Sequence, residues 1–181
     1  MKKLIFILFS IILLGCNKNS IENPGEFAPT DVFVKIKGYY TIDKVFDFIN
    51  TFDHDVENIH SQVYTSNLPS DSLQYVLDYL NDKPYTNDGN AWFVNGYLHH
   101  QTNVITIFPR LFNIKKREYQ NDWLESMEIL ELNEQTEGET SGCIIYFHVP
   151  AGEEIEWKNR FEQYEFVEWV ELNNYTDIEP N

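Results

Sequence analysis

Cys143 and His148 are the residues best suited to nucleophilic catalysis, because a thiol beside an imidazole base is an activated nucleophile. Both lie in the apolar stretch SGCIIYFHVP, which predicts a strand. Successive side chains of a strand point to opposite faces. Positions 143 and 148 differ by five, an odd number, so their side chains point to opposite faces. We therefore expect no Cys–His dyad within this strand, and we interpret Cys143 as a small core residue.

A second group of residues offers metal ligands. Asp53, His54 and Asp55, with His60 downstream, supply carboxylate oxygens and imidazole nitrogens. Metal sites need ligands at converging positions, and this spacing matches no zinc or calcium pattern. The histidine pair at 99–100 falls at a predicted hairpin tip, where adjacent side chains diverge. The sequence therefore predicts no metal and no cofactor.

Aromatic residues form a candidate platform for stacking on a sugar. Trp92, Phe93 and Tyr97 lie close together in the sequence, with Tyr85 nearby. Phe93 and Tyr97 share a strand parity opposite to that of Trp92, and the polar Asn95 between them indicates an exposed face. Packing in the core or across strands is the competing interpretation. Trp92, Phe93 and Tyr97 are the predicted ligand-binding residues.

The chain shows no signature of an enzyme. It contains no glycine-rich phosphate loop, no Gly-x-Ser-x-Gly elbow and no His-Glu-x-x-His helix. We therefore predict no catalytic residues and a non-enzymatic protein. A hydrolase, whose catalytic residues are brought together only by the fold, is the least favoured alternative.

Charge argues against nucleic acid as a partner. The chain has 13 basic and 29 acidic residues and a formal net charge of −16. Binding to phosphates needs a basic patch. The single basic cluster, Lys115-Lys116-Arg117, is followed by Glu118 and is typical of a solvated turn.

The amino terminus combines two lysines with a short apolar run. Lys2 and Lys3 precede the apolar run Leu4–Leu14, which is shorter than the roughly 20 residues that a membrane-spanning helix needs. A basic start followed by a short apolar run is typical of a secretory signal peptide. The run ends in Leu-Leu-Gly-Cys, with the cysteine at Cys16, and this motif resembles the lipobox of bacterial lipoproteins.

The resemblance implies that residues 1–15 are removed and that Cys16 carries acyl chains such as palmitate. Two or more acyl chains hold a protein stably on a membrane. In the lipoproteins that this motif resembles, an aspartate directly after the cysteine is associated with the inner membrane, so the resemblance, with Asn17 at this position, implies the outer membrane. We expect a lipid-anchored protein of the cell envelope, and both the periplasmic and the surface face stay open.

The mature chain divides into three parts. Residues 16–30 contain two prolines and a glycine without apolar periodicity, which indicates a flexible tether. Residues 31–175 are enough to bury one core and are predicted to form a single domain. Residues 176–181 form a polar tail.

Apolar periodicity places most elements of this domain. The stretch DVFVKIKG predicts a strand, TIDKVFDFINTF a helix capped by Thr41, and VENIHSQVYTS one further strand. LPSDSLQYVLDYLNDKPY predicts a helix that Ser70 can cap and that ends before Pro84. Trp92–Leu98 and Val104–Phe108 predict a hairpin.

The last third predicts three elements after an ambiguous segment. Tyr119–Leu132 is interpreted as a helical turn at 119–124, followed by a strand at 126–134. SGCIIYFHVP is apolar on both faces, which predicts a central strand covered on both sides. EEIEWKNRFEQY predicts a helix and FVEWVELN the closing strand.

A β-α-β unit at each end, with hairpins between, predicts an α+β fold in which helices pack on one side of a mainly antiparallel sheet. The two end units would form a ferredoxin-like core with residues 67–135 inserted. The closing stretch FEQYEFVEWVEL is similar to the last helix and strand of ferredoxin-like modules such as subtilisin propeptides, and this similarity concerns shape alone.

These observations favour a membrane-anchored envelope lipoprotein whose domain binds or scaffolds another envelope protein. A glycan- or ligand-binding module that uses the aromatic hairpin at 92–97 is the alternative.

Overall fold

The computed structural model describes residues 27–138 and 141–174, and these form an α+β fold with four helices and two antiparallel sheets, as predicted. The predicted signal peptide, Cys16 and the tail at 176–181 lie outside the described residues. The first strand begins at Phe27, so the end of the predicted tether belongs to the folded domain.

The elements have the following bounds. The helices are α1 (Ile42–Asn50), α2 (Leu73–Asn81), α3 (Arg117–Ile129) and α4 (Glu154–Phe161). The strands are β1 (Phe27–Ile36), β2 (Asp55–His60), β3 (Tyr64–Ser66), β4 (Asn95–His99), β5 (Val104–Phe108), β6 (Leu111–Phe112), β7 (Leu132–Glu134), β8 (Cys143–His148) and β9 (Val167–Asn174). Across the described part of the chain, none of the helices is long and apolar enough to span a bilayer.

The two ends of the domain form one sheet. Its order is β6-β2-β8-β1-β9, and every neighbouring pair is antiparallel. The unit β1-α1-β2 and the unit β8-α4-β9 therefore interleave their strands, which is the split β-α-β arrangement of a ferredoxin-like core. We call this the flanking sheet. The inserted segment runs from 61 to 142 and is longer than the predicted 67–135.

The inserted segment repeats the same arrangement. Its sheet has the order β4-β5-β3-β7, again antiparallel throughout, so the units β3-α2-β4 and β5-α3-β7 also interleave. We call this the inserted sheet. The domain is therefore built from two split β-α-β units, one placed within the other, where the sequence predicted a single sheet.

Each sheet is covered by helices on one face. In the flanking sheet, Val32, Val34 and Ile36 of β1 are fully buried, in agreement with the alternation of the sequence. The ring of Phe147 on β8 lies 6.2 Å from Phe48 of α1 and 4.8 Å from Phe161 of α4, measured between centroids. Burying such aromatic side chains contributes a few kcal/mol each, of order 1.5–3.

Helices α2 and α3 cover the inserted sheet. Val76 and Leu80 of α2 are fully buried, as the predicted helical stripe requires. The ring of Trp123 on α3 lies 5.4 Å from Tyr64 of β3 and 6.4 Å from Tyr85, between centroids. These contacts fix the inserted sheet against its own helices.

The prediction for Tyr119–Leu132 was correct for the helical turn at 119–124 and wrong for most of the strand at 126–134. This segment belongs almost entirely to α3, and only Leu132–Glu134 form a strand. Its buried positions include the polar Gln120 and Ser126, so the apolar periodicity of this helix is weak. Gln120 bonds to Asn50 at 2.9 and 3.1 Å, and Ser126 donates to the Asp122 carbonyl at 2.6 Å.

The predicted single strand at VENIHSQVYTS is also corrected. It divides into β2 and β3, which belong to different sheets. Ser61 has a φ of 64°, in the left-handed region, and this turns the chain from one sheet to the other. In the hairpin, the first strand begins at Asn95 rather than Trp92, because the Asp88 side chain holds the preceding residues in a turn.

Two smaller expectations differ near α4. The i, i+4, i+7 spacing of Trp157, Phe161 and Tyr164 predicts that all three point inward. Trp157 and Phe161 are buried, but Tyr164 follows the end of the helix and is 38% exposed. Strand β8 is central, as predicted, but only one of its faces lies under helices. Ile144, on the other face, is half-buried and lines a groove.

Candidate ligand-binding groove

The floor of the groove is a row of residues that crosses the flanking sheet. His60, Ile144, Lys35 and Trp169 are register partners on β2, β8, β1 and β9. They lie on the face away from α1 and α4, because their strand neighbours Val34, Ile36, Cys143 and Ile145 point into the helix-covered core. The row brings two apolar surfaces and two nitrogen-bearing side chains together.

The wall of the groove comes from the inserted unit. Strand β5 belongs to the inserted sheet, and β6 pairs with the flanking strand β2. Pro109 and Arg110 connect them, so this crossing carries Arg110 to the side of the floor. The resulting groove has a volume of about 600 Å³, and its lining also includes Ser61, Gln62, Val63, Trp92, Phe108 and Glu168. We call it the tryptophan groove.

Trp92 is held in place by the turn before the hairpin. The Asp88 carboxylate accepts hydrogen bonds from the backbone N–H groups of Asn90, Ala91 and Trp92 at 2.9–3.1 Å. These bonds, led by the one from Trp92, hold the pKa of Asp88 below its usual value. The guanidinium carbon of Arg110 lies 4.2 Å from the centroid of the Trp92 indole, a cation–π contact.

The groove concentrates positive charge in a strongly acidic chain. Within the described residues, neither Lys35 nor Arg110 has a carboxylate within salt-bridge distance. Burial, followed by repulsion from Arg110 and Lys35, lowers the pKa of His60 to about 4. His60 is therefore neutral at pH 7. Glu168 is the acid that lines the groove, and it is exposed.

Several polar atoms of the groove lack hydrogen-bond partners among the described residues. They are Gln62 Oε1, Trp92 Nε1 and Arg110 Nε, and all three atoms are buried. Gln62 as a whole is only 6% exposed. Buried polar groups are nearly always paired in native proteins, so three such atoms around one groove make the groove a candidate place for polar ligand groups.

The three predicted aromatic residues are placed differently. Trp92 lines the groove, whereas Phe93 is 58% exposed and Tyr97 is 48% exposed on the open face of the hairpin. The Tyr97 ring stacks on Phe108 at 5.9 Å between centroids, and Phe108 also lines the groove. Trp92 and Tyr97 therefore border the same surface without a direct ring contact, and Phe93 lines no part of the groove.

Sequence reasoning missed Lys35, Arg110 and Trp169. Features of the sequence identify two of these residues once the sheet order is known. Lys35 is a charged residue between the buried Val34 and Ile36 of β1, and Trp169 lies on the face of β9 opposite to Val170. Arg110 lies in a two-residue connection without periodicity, and no sequence pattern places it.

The prediction that Cys143 and His148 point apart is confirmed. Cys143 is 1% exposed beneath the helices, and its burial raises the pKa of its thiol well above the usual value. His148 lies on the opposite face, where Nδ1 is 3.1 Å from Asp31 Oδ1 and Nε2 is 3.2 Å from Glu57 Oε2. Both ring nitrogens are engaged by carboxylates, so neither is free to act as a base.

A polar cluster surrounds Asp31 and is well satisfied. Its carboxylate accepts hydrogen bonds from Tyr146, from Asn173 at 2.8 Å and from Thr30 at 3.2 Å. Burial opposes ionisation of Asp31, but these bonds, led by Tyr146, hold its pKa below the usual value. The cluster joins β1, β8 and β9, and we interpret it as structural.

Two of the histidines considered as metal ligands have other contacts. His54 packs edge-on against Trp157 at 4.0 Å between centroids. The exposed His99 interacts with the Thr102 hydroxyl at 3.1 Å, at the hairpin tip. Residues 27–138 and 141–174 contain no group of three histidine, cysteine or acidic side chains placed to hold a metal ion.

Another hollow, of about 410 Å³, lies beside α3 and contrasts with the groove. Its polar groups are paired, since Asp122 bonds to Lys83 at 3.0 Å and accepts a hydrogen bond from Tyr85 at 2.6 Å. The tryptophan groove, with its unpaired atoms and two indoles, is therefore the candidate site. Comparison with protein-family models, with curated proteins and with solved structures finds no significant match.

Proposed function

We propose that the protein is a carbohydrate-binding module that holds a sugar in the tryptophan groove. One observation carries this proposal: two indole rings, Trp92 and Trp169, and several unpaired hydrogen-bonding atoms line the same open groove. The apolar C–H face of a sugar ring packs on an aromatic ring, and its hydroxyls both donate and accept hydrogen bonds. Ligand sites generally combine such an apolar lining with a few placed polar groups.

The polar atoms available fit a hydroxyl-rich ligand. The unpaired Gln62 Oε1 can accept a hydrogen bond, while the unpaired Trp92 Nε1 and Arg110 Nε can each donate one. In the free protein these three atoms are already buried and unpaired, at a cost of about 1–3 kcal/mol each, and a purely apolar ligand would leave that cost in place. A sugar pairs both kinds of atom, which supports a carbohydrate over a lipid chain.

The open face beside the groove offers room for further sugar units. The next row of the flanking sheet carries Phe33 and Tyr146, whose rings lie 4.5 Å apart between centroids. On the other side, Phe108 leads to the exposed Tyr97. We therefore propose that the ligand is an oligosaccharide rather than a single sugar.

The proposal includes attachment to the outer membrane through lipid on Cys16, because the resemblance to a lipobox supports export and acylation. A tether would hold the groove away from the membrane surface and within reach of envelope glycans. We propose a binding role without catalysis, since the ring nitrogens of His148 are occupied and the Cys143 thiol is buried.

A scaffold that binds another envelope protein is the second candidate. The observation that favours it is the exposure of Phe93 and Tyr97 on one hairpin. Exposed aromatic side chains are enriched where proteins bind each other. On this hypothesis the hairpin, and not the groove, carries the binding surface.

Alanine variants of the two tryptophans test the carbohydrate proposal. The soluble domain would be screened against envelope glycans, and affinity for the best ligand measured by titration calorimetry. Trp92→Ala or Trp169→Ala should weaken binding by about tenfold or more, because each removes a large stacking surface. Tyr75→Ala, which removes a 52% exposed aromatic on α2, is the matched control and should leave binding unchanged. Equal affinity of the tryptophan variants and the wild type would contradict the proposal.

A further inference from the structure

The charge of the groove is opposite to that of the chain. The protein has a formal net charge of −16, yet the floor and the wall of the groove each present a cation, Lys35 and Arg110. Lys35 is only 8% exposed although it carries a charge. Among the described residues no carboxylate lies within salt-bridge distance of Lys35, and buried charges in proteins are usually paired.

Both cations keep hydrogen-bonding capacity toward the groove. Lys35 Nζ donates to the Ser141 carbonyl at 2.8 Å, and an ammonium group has two further N–H donors. The face of the Arg110 guanidinium is covered by Trp92, which leaves its N–H edge for a ligand. Arg110 Nε has no hydrogen-bond partner in the described part of the chain.

The two cations act on the same part of the groove. His60 is a register partner of Ile144, which in turn neighbours Lys35, and both Arg110 and Lys35 repel a proton on His60. The neutral imidazole adds no charge, and since its Nδ1 lies 2.8 Å from the Ser61 hydroxyl, Nε2 is its remaining hydrogen-bonding atom. The acidic residue that lines the groove, Glu168, is exposed, so solvent screens its electrostatic interaction with the two cations.

We infer that the sugar bound in the tryptophan groove carries a carboxylate, as a uronic acid does, and that Lys35 and Arg110 hold this group. The inference rests on the proposed carbohydrate-binding function and narrows its ligand class. A carboxylate accepts hydrogen bonds at two oxygens and matches the fork of an arginine side chain. The indoles pack on the ring of the same sugar.

The experiment compares two forms of the same ligand. Uronic-acid trisaccharides built from galacturonate, glucuronate or mannuronate would be titrated into the domain beside the same trisaccharides with each carboxyl group reduced to an alcohol. The reduced forms keep the ring stereochemistry and carry a neutral hydroxymethyl group in place of each carboxylate. We expect at least one acidic form to bind tenfold or more tightly than its reduced form, because a hydrogen bond to a charged group is a strong one.

Variants assign the effect to the two cations. Arg110→Gln and Lys35→Met should each reduce the preference for the acidic form by about tenfold, because each weakens binding of the acidic form more than binding of the reduced form. Arg117→Gln removes the same charge at the exposed start of α3 and should leave the preference intact. Circular dichroism and thermal unfolding would verify that each variant is folded.

The outcomes separate the two proposals. Equal affinity for acidic and reduced forms would overturn the carboxylate inference and leave the carbohydrate proposal standing. A preference that persists in Arg110→Gln and Lys35→Met would also overturn the inference, since the charge would then be held elsewhere. Failure of all forms to bind at millimolar concentration, with binding of neutral envelope glycans, would again overturn only the inference. Failure of every glycan would overturn both.

Discussion

Arg110 depends on both sheets for its position. The residue follows β5 of the inserted sheet and precedes β6, which pairs with β2 of the flanking sheet. Its guanidinium then packs on Trp92, whose place is fixed by the Asp88 turn. The surroundings of Arg110 come from segments that are distant in sequence, and its immediate neighbours show no pattern that would identify it. The sequence therefore predicted Trp92 as a binding residue but not Arg110.

Glu134 is a second residue whose properties come from the fold alone. Its carboxylate accepts hydrogen bonds from the Ile42 N–H at 2.9 and 3.1 Å and from the Tyr64 hydroxyl at 3.3 Å. The carboxylate therefore caps the start of α1 in place of the Thr41 side chain that the sequence suggested. Burial nevertheless raises the pKa of Glu134 to about 7, because these bonds only partly offset the loss of solvation.

The elevated pKa of Glu134 predicts a pH-dependent stability. In the unfolded chain this glutamate ionises near pH 4.5, so the folded state binds more protons between about pH 4.5 and 7. The free energy of unfolding should therefore fall as the pH rises through this window, by at most about 3 kcal/mol. Glu134→Gln keeps an oxygen for Ile42 and should flatten the dependence, as measured by urea unfolding at a series of pH values.

An exposed glutamate provides the control for this prediction. Glu128→Gln removes the same charge from the surface of α3 and should leave the pH dependence unchanged. The same slope in the wild type and in Glu134→Gln would show that Glu134 is not the group responsible.

At the scale of elements, the sequence predicted those with strong periodicity. Helices α1, α2 and α4, strands β1, β8 and β9, and the hairpin are where apolar spacing placed them, within a few residues. The full length of helix α3 was not predicted, because polar side chains occupy part of its buried face. The second sheet was not predicted, because β3 and β7 have only three residues each, too few to show an alternation of apolar and polar residues.

Gly142 marks the return of the chain from the inserted unit to β8. Its φ of 79° lies in the left-handed region, and a Cβ there would come 2.0 Å from the Ile36 carbonyl oxygen. Gly142→Ala should therefore combine backbone strain with a steric clash and destabilise the protein by about 3 kcal/mol or more. Thermal or urea unfolding measures the change.

Gly89 separates the two contributions. Its φ of 77° is almost the same, but a Cβ there would meet no atom within 4 Å. Gly89→Ala should cost only the strain, about 1–2 kcal/mol. Equal destabilisation by the two substitutions would mean that the close approach of Gly142 to β1 contributes nothing.

At the scale of the whole molecule, two split β-α-β units share one continuous core. The buried apolar residues of both units belong to a single cluster. The two end units could be predicted because each consists of a strand, a helix and a strand that follow one another directly in the sequence. Their union with a second unit of the same kind was not visible in the sequence, since strand order depends on contacts between segments far apart in the chain.

This architecture leaves one face of each sheet without helices and joins the two open faces at the crossing between β5 and β6. The groove therefore exists only in the complete domain. Its floor belongs to the flanking sheet and its wall to the inserted unit, so neither unit alone would bind the ligand as we propose.

The most direct test of carbohydrate binding is an NMR titration that follows the four tryptophan indole N–H signals of the chain. Trp92 and Trp169 line the groove, whereas Trp123 and Trp157 are buried among the helices and serve as internal controls. On addition of a bound oligosaccharide, we expect the Trp92 and Trp169 signals to shift in a saturable way while the other two stay in place. Saturable binding that leaves the Trp92 and Trp169 signals unmoved would contradict the proposal that the groove is the binding site.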